Sequence, residues 1–260
     1  MRKSRWLWRM IGTVSLVTTV VLSAGFGYAV RTVVFPQGGM PAAVVQETTR
    51  EQDGIEDSIS IVALGDSLTV GFGDATGKGY VRGLREKLEK TADVPVYIVG
   101  NFAQNGYTTS QVIKDLRQRE GVREAVKRAD LVVMTVGGND LFQPGSEIDV
   151  GKIKGEMSGA LMNIRGILVK IREINPDAHI YYIGLYNPFI ELKNIEGTTE
   201  IVQQFNADVF RVAEQFERIT LVPTFDLFEN DVERFLASDS YHLNEAGYAR
   251  IADRLAMLLE

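Results

Sequence analysis

The stretch ISIVALGDSLTVGFG, residues 59–73, decides the fold. It opens with a short apolar run, residues 59–64, of the kind that forms a strand buried on both faces. The run ends at Gly65, and the polar residues Asp66 and Ser67 follow at once. A buried strand that stops at a glycine predicts a tight turn, which presents the next side chains at the carboxyl end of the strand.

Four further β-branched runs predict four more strands. They are VPVYIVG at 94–100, LVVMTV at 131–136, HIYYIGL at 179–185 and ITLVPT at 219–224. Stretches with apolar residues three and four apart lie between them and after them, and three of these predict amphipathic helices, with apolar patterns that begin at Met157, Ile201 and Tyr248. Strands that alternate with helices form a parallel sheet through right-handed crossovers. We therefore expect an α/β fold, a three-layer α/β/α sandwich with a five-stranded parallel sheet.

In such a sheet the ligand site lies beyond the carboxyl ends of the strands. Four polar segments follow predicted strands or precede the last helix: GDSL at 65–68, NFAQNG at 101–106, GGND at 137–140 and DSYH at 239–242. We expect these segments to meet at one edge of the sheet and to form the functional site there.

The first and last of these segments contain the residues for nucleophilic catalysis. A serine hydroxyl is a weak nucleophile at neutral pH and needs a base, most simply an imidazole that a carboxylate orients. Only two histidines exist, and His179 opens a strand at the end opposite the expected site. A turn can place Asp239 against one ring nitrogen of His242 while the other faces Ser67. Ser67, His242 and Asp239 are therefore the candidate catalytic residues.

Acyl transfer also needs hydrogen-bond donors aimed at the developing oxyanion. Gly106 can bring a bare backbone N–H close to a substrate. The Asn139 amide can donate from a loop whose two glycines permit close approach. The adjacent carboxylates, Asp66 and Asp140, are interpreted as turn or structural residues.

These four segments, in this order, resemble those of the SGNH hydrolases, also called GDSL-type esterases and lipases. The resemblance covers residues 58–260 and implies a flavodoxin-like sheet with a Ser-His-Asp triad. It also implies an oxyanion hole of the Ser67 and Gly106 N–H groups and the Asn139 amide. The implied activity is a serine esterase that forms an acyl-enzyme on Ser67 from a small ester, a lipid or an acylated cell-wall substrate. A carbohydrate or cell-wall O-acetylesterase and a catalytically inactive surface-binding module are the alternatives.

The N-terminus predicts a membrane anchor. Residues 10–30 carry no charge, and the basic segment RKSRWLWR at 2–9 precedes them. About 20 apolar residues cross a bilayer as a helix, and the positive flank favours a cytoplasmic N-terminus. We interpret residues 1–35 as anchor and flank, 36–57 as a flexible acidic linker, and 58–260 as an extracytoplasmic hydrolase domain.

Cleavage of a signal peptide, which would release a secreted domain, is the alternative topology. The anchor, the acidic spacer and YNPF at 186–189 are similar to those of the membrane-anchored GDSL lipase/acylhydrolase proteins of Gram-positive bacteria. This narrower resemblance bears on topology alone.

Composition excludes several partners and cofactors. Residues 1–31 contain five of the 28 basic residues and no acidic one, so residues 32–260 carry a formal charge of −11. An acidic surface repels phosphate, and we expect no nucleic-acid partner. With no cysteine and two distant histidines we expect no metal, and without a third glycine after Gly71 and Gly73 we expect no dinucleotide cofactor.

Two apolar stretches, residues 186–190 and 225–228, follow the last two predicted strands. Either could hold an acyl chain, and either could belong to the core, because single aromatic residues near strand ends are common in cores. The sequence leaves both possibilities open.

Overall fold

The computed structural model describes residues 58–142, 148–191 and 196–259, together with Thr18. Five strands in these ranges form one sheet: β1 Ile59–Gly65, β2 Val96–Asn101, β3 Leu131–Thr135, β4 His179–Ile183 and β5 Ile219–Val222. Their order is β2-β1-β3-β4-β5, and each neighbouring pair is parallel. The five predicted strands are confirmed, with ends that differ by no more than two residues.

Helices connect the strands. In chain order they are α1 Ser67–Val70, α2 Gly79–Thr91, α3 Thr109–Gln118, α4 Glu120–Lys127, α5 Gly138–Leu141, α6 Val150–Ile174, α7 Thr198–Ala213, α8 Phe225–Phe228 and α9 Glu245–Met257, with a 3₁₀ turn at Val232–Phe235. The three predicted helices are α6, α7 and α9, and each begins before its apolar pattern. For α6 and α9 the start is set by a polar cap, since Asp149 accepts the Lys152 N–H and Asn244 accepts the Gly247 N–H.

The central strands are covered on both faces. Val62 and Leu64 of β1 lie in a core with residues of α3, α4, α6 and α7, whereas Ile61 and Ala63 lie in a second core with residues of α2 and α9. This alternation follows from the two-residue period of a strand. The predicted three-layer α/β/α architecture is therefore confirmed, and it leaves the carboxyl ends of the strands free to carry loops.

Two strand ends require glycine. Gly65 has φ of 128°, and a Cβ atom there would lie 1.8 Å from the carbonyl oxygen of Thr135. Gly137 has φ of 115°, and a Cβ atom there would lie 2.6 Å from a ring carbon of Phe205. Both backbones turn sharply at the carboxyl edge of the sheet, where Gly65 opens the GDSL segment and Gly137 opens the GGND segment.

Within the described ranges, no helix is long and apolar enough to cross a membrane. The anchor that the sequence predicts at residues 10–30 and the linker at 36–57 lie outside those ranges, apart from Thr18.

Candidate active site

Ser67 is the first residue of α1, directly after the turn that ends β1. Asp66 caps this short helix, since its carboxylate accepts the Leu68 N–H at 3.1 Å. The Ser67 carbonyl accepts the N–H groups of Gly71 and Phe72, which close the turn. The serine is 8% exposed and therefore largely buried.

A hydrogen-bonded chain connects Ser67, His242 and Asp239. Nε2 of His242 lies 2.8 Å from Oγ of Ser67, although the two residues are 175 positions apart in the sequence. Nδ1 of the same ring lies 2.6 Å from Oδ2 of Asp239. The other oxygen of Asp239 accepts the backbone N–H groups of Tyr241 and His242, at 3.0 and 2.9 Å. The turn between Asp239 and His242 therefore fixes the carboxylate against the ring, as their spacing predicts.

The state of Asp239 determines which nitrogen of His242 carries the proton. Partial burial alone would raise the pKa of this carboxyl, but hydrogen bonds from the His242 ring and from the two backbone N–H groups hold the pKa below its ordinary value of 3.8. An ionised carboxylate can only accept hydrogen bonds, so Nδ1–H of His242 donates to it. In the neutral ring Nε2 is then an acceptor, and it faces the Ser67 hydroxyl.

The two candidate oxyanion residues lie in segments that follow β2 and β3 and are joined to each other, with Gly106 in a turn and Asn139 in α5 rather than in the expected loop. The Asn139 side-chain amide donates to the carbonyl of Tyr107, the neighbour of Gly106, at 2.9 Å. Gly106 is exposed and turns with φ of 77°. Among the described residues no hydrogen bond connects Gly106 or Asn139 to Ser67. A side-chain amide has two N–H groups, and the bond to Tyr107 uses one of them.

Asp140 forms a second connection between the segment after β2 and the segment after β3. Its carboxylate accepts both the backbone N–H and the hydroxyl of Thr109, at 2.9 and 2.6 Å. The Asn163 amide also donates to the Thr109 hydroxyl, at 3.1 Å. Burial raises the pKa of Asp140, while the two bonds from Thr109 oppose the rise. These contacts agree with the structural role that the sequence analysis gives to this residue.

A buried chain of hydroxyl groups lies beside the nucleophile, and sequence reasoning missed it. Thr135 donates its hydroxyl to the Asp66 carboxylate at 2.6 Å. The Thr69 hydroxyl lies 2.7 Å from those of both Thr135 and Tyr80. Burial raises the pKa of Asp66 to about 6, against the opposing hydrogen bonds from Thr135 and Leu68. The available signal was a threonine at the end of an otherwise apolar strand, LVVMT.

Two aromatic rings contact the His242 imidazole. Phe72 and Tyr241 contact it edge-on, with ring centroids 4.7 and 4.9 Å away. Phe189, from the apolar stretch after β4, lies 5.8 Å from Tyr241. Phe228, from the other apolar stretch, is a core residue that is 1% exposed. The structure therefore places one of the two stretches at the site.

The second histidine lies at the other end of the sheet. His179 is the first residue of β4, where its Nε2 lies 2.8 Å from the Thr220 hydroxyl and its ring stacks on Tyr181. This position agrees with the interpretation of His179 as a strand residue. In the part of the chain that the structure describes, no group of three or more His, Asp or Glu side chains could hold a metal ion.

Three comparisons identify similar proteins. The model of the GDSL-like lipase/acylhydrolase family matches residues 63–250. The spore germination lipase LipC of Bacillus licheniformis is 30% identical, over 76% of this chain and 95% of its own length. The uncharacterized protein YpmR of Bacillus subtilis is 31% identical, over 77% of this chain and 81% of its own length. Among solved structures, the lipase Lip_vut3 from a goat rumen metagenome is 30% identical with a TM-score of 0.69, over 76% of this chain and 96% of that chain.

Proposed function

The chain belongs to the GDSL-like lipase/acylhydrolase family and is an ester-hydrolysing enzyme, and from this premise we propose that Ser67 is its nucleophile. His242 is the general base, and Asp239 holds its ring in the required tautomer. The observation that carries this proposal is the chain of two short hydrogen bonds, 2.8 Å from Ser67 to His242 and 2.6 Å from His242 to Asp239.

The proposed reaction has two balanced halves. Nε2 of His242 takes the hydroxyl proton of Ser67 while Oγ attacks the ester carbonyl carbon, and the carbonyl electron pair moves onto oxygen. The tetrahedral intermediate then expels the alcohol oxygen, which receives the proton from His242, and an acyl-enzyme on Ser67 remains. Water attacks this ester with the same base, and the products are a carboxylic acid and free Ser67.

The intermediate carries a negative oxygen that needs donors. In this proposal they are the N–H groups of Ser67 and Gly106 and the Asn139 amide proton that Tyr107 does not accept. Each donor of this kind typically contributes about 3 kcal/mol to lowering the barrier. The bonds of Asn139 to Tyr107 and of Asp140 to Thr109 support the assignment, because they hold the two segments at a fixed separation.

The ester substrate is a lipid ester, a small ester or an acylated cell-wall polymer. Two similar proteins named as lipases, LipC and Lip_vut3, favour the lipid ester. Hydrolysis of p-nitrophenyl butyrate by the full chain tests the catalytic assignment. We expect Ser67→Ala and His242→Ala to lose nearly all activity and Ser158→Ala, an exposed serine of α6, to keep it. An active Ser67→Ala enzyme would contradict the proposal.

The cellular location is a separate proposal, and it rests on the uncharged segment at residues 10–30 and its basic flank. It holds that residues 1–35 anchor the chain in the membrane, that residues 36–57 link the anchor to the enzyme, and that residues 58–260 act outside the cytoplasm. Protease added to intact protoplasts should then remove the hydrolase domain. Protection of that domain would contradict this topology, and a soluble extracellular product that begins near Val30 would indicate signal-peptide cleavage.

A further inference from the structure

Four aromatic rings follow one another in a continuous row at the site. The Phe142 ring lies 5.2 Å from Phe189, Phe189 lies 5.8 Å from Tyr241, and Tyr241 lies 4.9 Å from the His242 imidazole. These residues come from the loops after β3 and β4 and from the DSYH segment. The fold therefore assembles an aromatic row that is not apparent in any one sequence segment.

The row begins next to the proposed nucleophile and base and ends in the core. At one end Phe142 is the C-cap of α5, the short helix that contains Asn139. At the other end His242 holds the Ser67 hydroxyl. Of the two middle rings, Tyr241 lies beside the imidazole that contacts Ser67, and Phe189 is the next ring outward from it.

We infer that Phe189 and Tyr241 form the wall against which the acyl chain of the substrate lies, and that the enzyme prefers hydrocarbon acyl chains of medium length over acetyl groups. This inference rests on the proposed function, since it takes Ser67 as the acylated residue. It names a substrate class that neither the triad nor the oxyanion donors define.

The two middle residues are partly exposed, and hydrogen bonds fix the backbone that carries their rings. Phe189 and Tyr241 are neither fully buried nor fully exposed, whereas Phe142 behind them is buried. The Phe189 N–H donates to the Asn187 side chain at 3.0 Å, and the Tyr186 hydroxyl donates to the Tyr241 carbonyl at 2.6 Å. A wall that is already ordered loses little conformational freedom when an acyl chain packs on it.

The ring orientations suit a flexible hydrocarbon chain. Successive ring planes along the row are tilted by 56°, 46° and 84°, so the rings do not share one flat face. A flexible chain can follow such a surface, because apolar burial is not directional. The tilted rings therefore offer a hydrocarbon acyl chain several contacts along its length.

Esters with a common leaving group isolate the acyl side of the site. We would measure kcat/KM of the full chain for p-nitrophenyl octanoate and p-nitrophenyl acetate, which release the same phenol. The expected octanoate-to-acetate ratio is above one in the wild type, and Phe189→Ala should lower it by roughly tenfold or more. Phe189→Leu keeps an apolar side chain against the core, should therefore keep the fold, and should retain most of the preference.

Phe216→Ala is the matched control. Phe216 is partly buried against the same core as Phe189, but it precedes β5 and so lies at the opposite end of the sheet. The Phe216→Ala variant should be less stable than the wild type and should keep the wild-type octanoate-to-acetate ratio of kcat/KM. A wild type that prefers acetate, or a Phe189→Ala enzyme that folds and keeps its ratio, would overturn the inference.

Ser67→Ala separates this test from the proposed function. If Ser67→Ala still hydrolyses both esters, the catalytic assignment fails. If Ser67→Ala is inactive while Phe189→Ala keeps the ratio, the catalytic assignment stands and only the acyl-chain wall is wrong.

Discussion

The side-chain amide of Asn139 donates to the carbonyl of Tyr107 at 2.9 Å. The next residue, Asp140, accepts two hydrogen bonds from Thr109. Two consecutive side chains of the GGND segment therefore bind Tyr107 and Thr109, the residues on either side of Thr108. Tyr107 directly follows Gly106. The separation of the two proposed oxyanion donors is set by these contacts rather than by the sheet alone.

Replacement of Asn139 by alanine should affect both catalysis and stability. Loss of a donor that acts only on the oxyanion lowers kcat by roughly 10²–10³ with little change in KM. Loss of the bond to Tyr107 costs about 1 kcal/mol of folding free energy. Steady-state kinetics and a melting curve on the same purified variant measure the two effects.

Asn163→Ala is the control for Asn139. It removes another side-chain amide from the same network, the donor to Thr109, without removing a proposed oxyanion donor. It should show the stability loss and a kcat close to that of the wild type. If Asn139→Ala behaves in the same way, Asn139 is a structural residue and the oxyanion assignment is wrong.

Asp239→Asn should keep the fold and lose most of the activity. The amide oxygen can still accept the N–H groups of Tyr241 and His242, but the amide N–H₂ then faces Nδ1. Nδ1 must accept, so the proton moves to Nε2, which can no longer take the proton of Ser67. We expect kcat to fall by roughly 10²–10⁴. Unchanged kcat in a folded variant would remove Asp239 from the catalytic chain.

The buried carboxyl of Asp66 should make stability depend on pH. Its pKa in the folded protein is about 6, above the ordinary value of 3.8. The folded state therefore holds this proton more tightly than the unfolded state. The resulting stabilisation of the folded state is complete below pH 3.8 and is lost as the pH rises through about 6.

Asp66→Asn removes this titration and keeps an oxygen acceptor for Thr135 and Leu68. The free energy of unfolding of the variant, relative to the wild type, should increase by as much as about 3 kcal/mol between roughly pH 4 and pH 7. Urea unfolding of both proteins across this range measures the difference. A difference in unfolding free energy that does not change with pH would show that the folded and unfolded states bind the Asp66 proton equally.

Ser240 lies between Asp239 and His242 with φ of 53°, in the left-handed region. Side chains other than glycine are strained there by roughly 1–2 kcal/mol. Ser240→Gly should therefore raise stability by about 1 kcal/mol, or the melting temperature by roughly 2–4 °C. Ser240→Ala keeps the strain and should give no gain. A lower melting temperature for Ser240→Gly would show that the turn does not strain this residue.

Much of the fold was predictable because its signals are local. Short apolar runs identify the five strands, since each strand lies in a sheet with helices on both faces. The starts of the helices were less predictable. The apolar pattern of α6 begins at Met157, whereas the helix begins at Val150, because its N-terminus is set by the polar cap at Asp149.

The candidate site was predictable to the extent that its residue types are rare. With two histidines in the chain, and His179 at the wrong end of a strand, only His242 could meet Ser67. The hydroxyl chain was not predictable in this way, because the threonines of β3 and α1 resemble ordinary strand and turn residues. The ring row was only partly predictable: residues 186–190 were a candidate acyl-chain contact, but Phe142, Phe189 and Tyr241 come from separate segments and become neighbours only in the folded chain.

The most direct test of the central claim is the position of a covalent label. A fluorophosphonate probe reacts with an activated serine, and mass spectrometry of peptides from the labelled full chain identifies the residue. We predict that Ser67 carries the label, that Ser67→Ala carries none, and that His242→Ala labels far more slowly. A label on another serine, or undiminished labelling of Ser67→Ala, would contradict the assignment of Ser67 as the nucleophile.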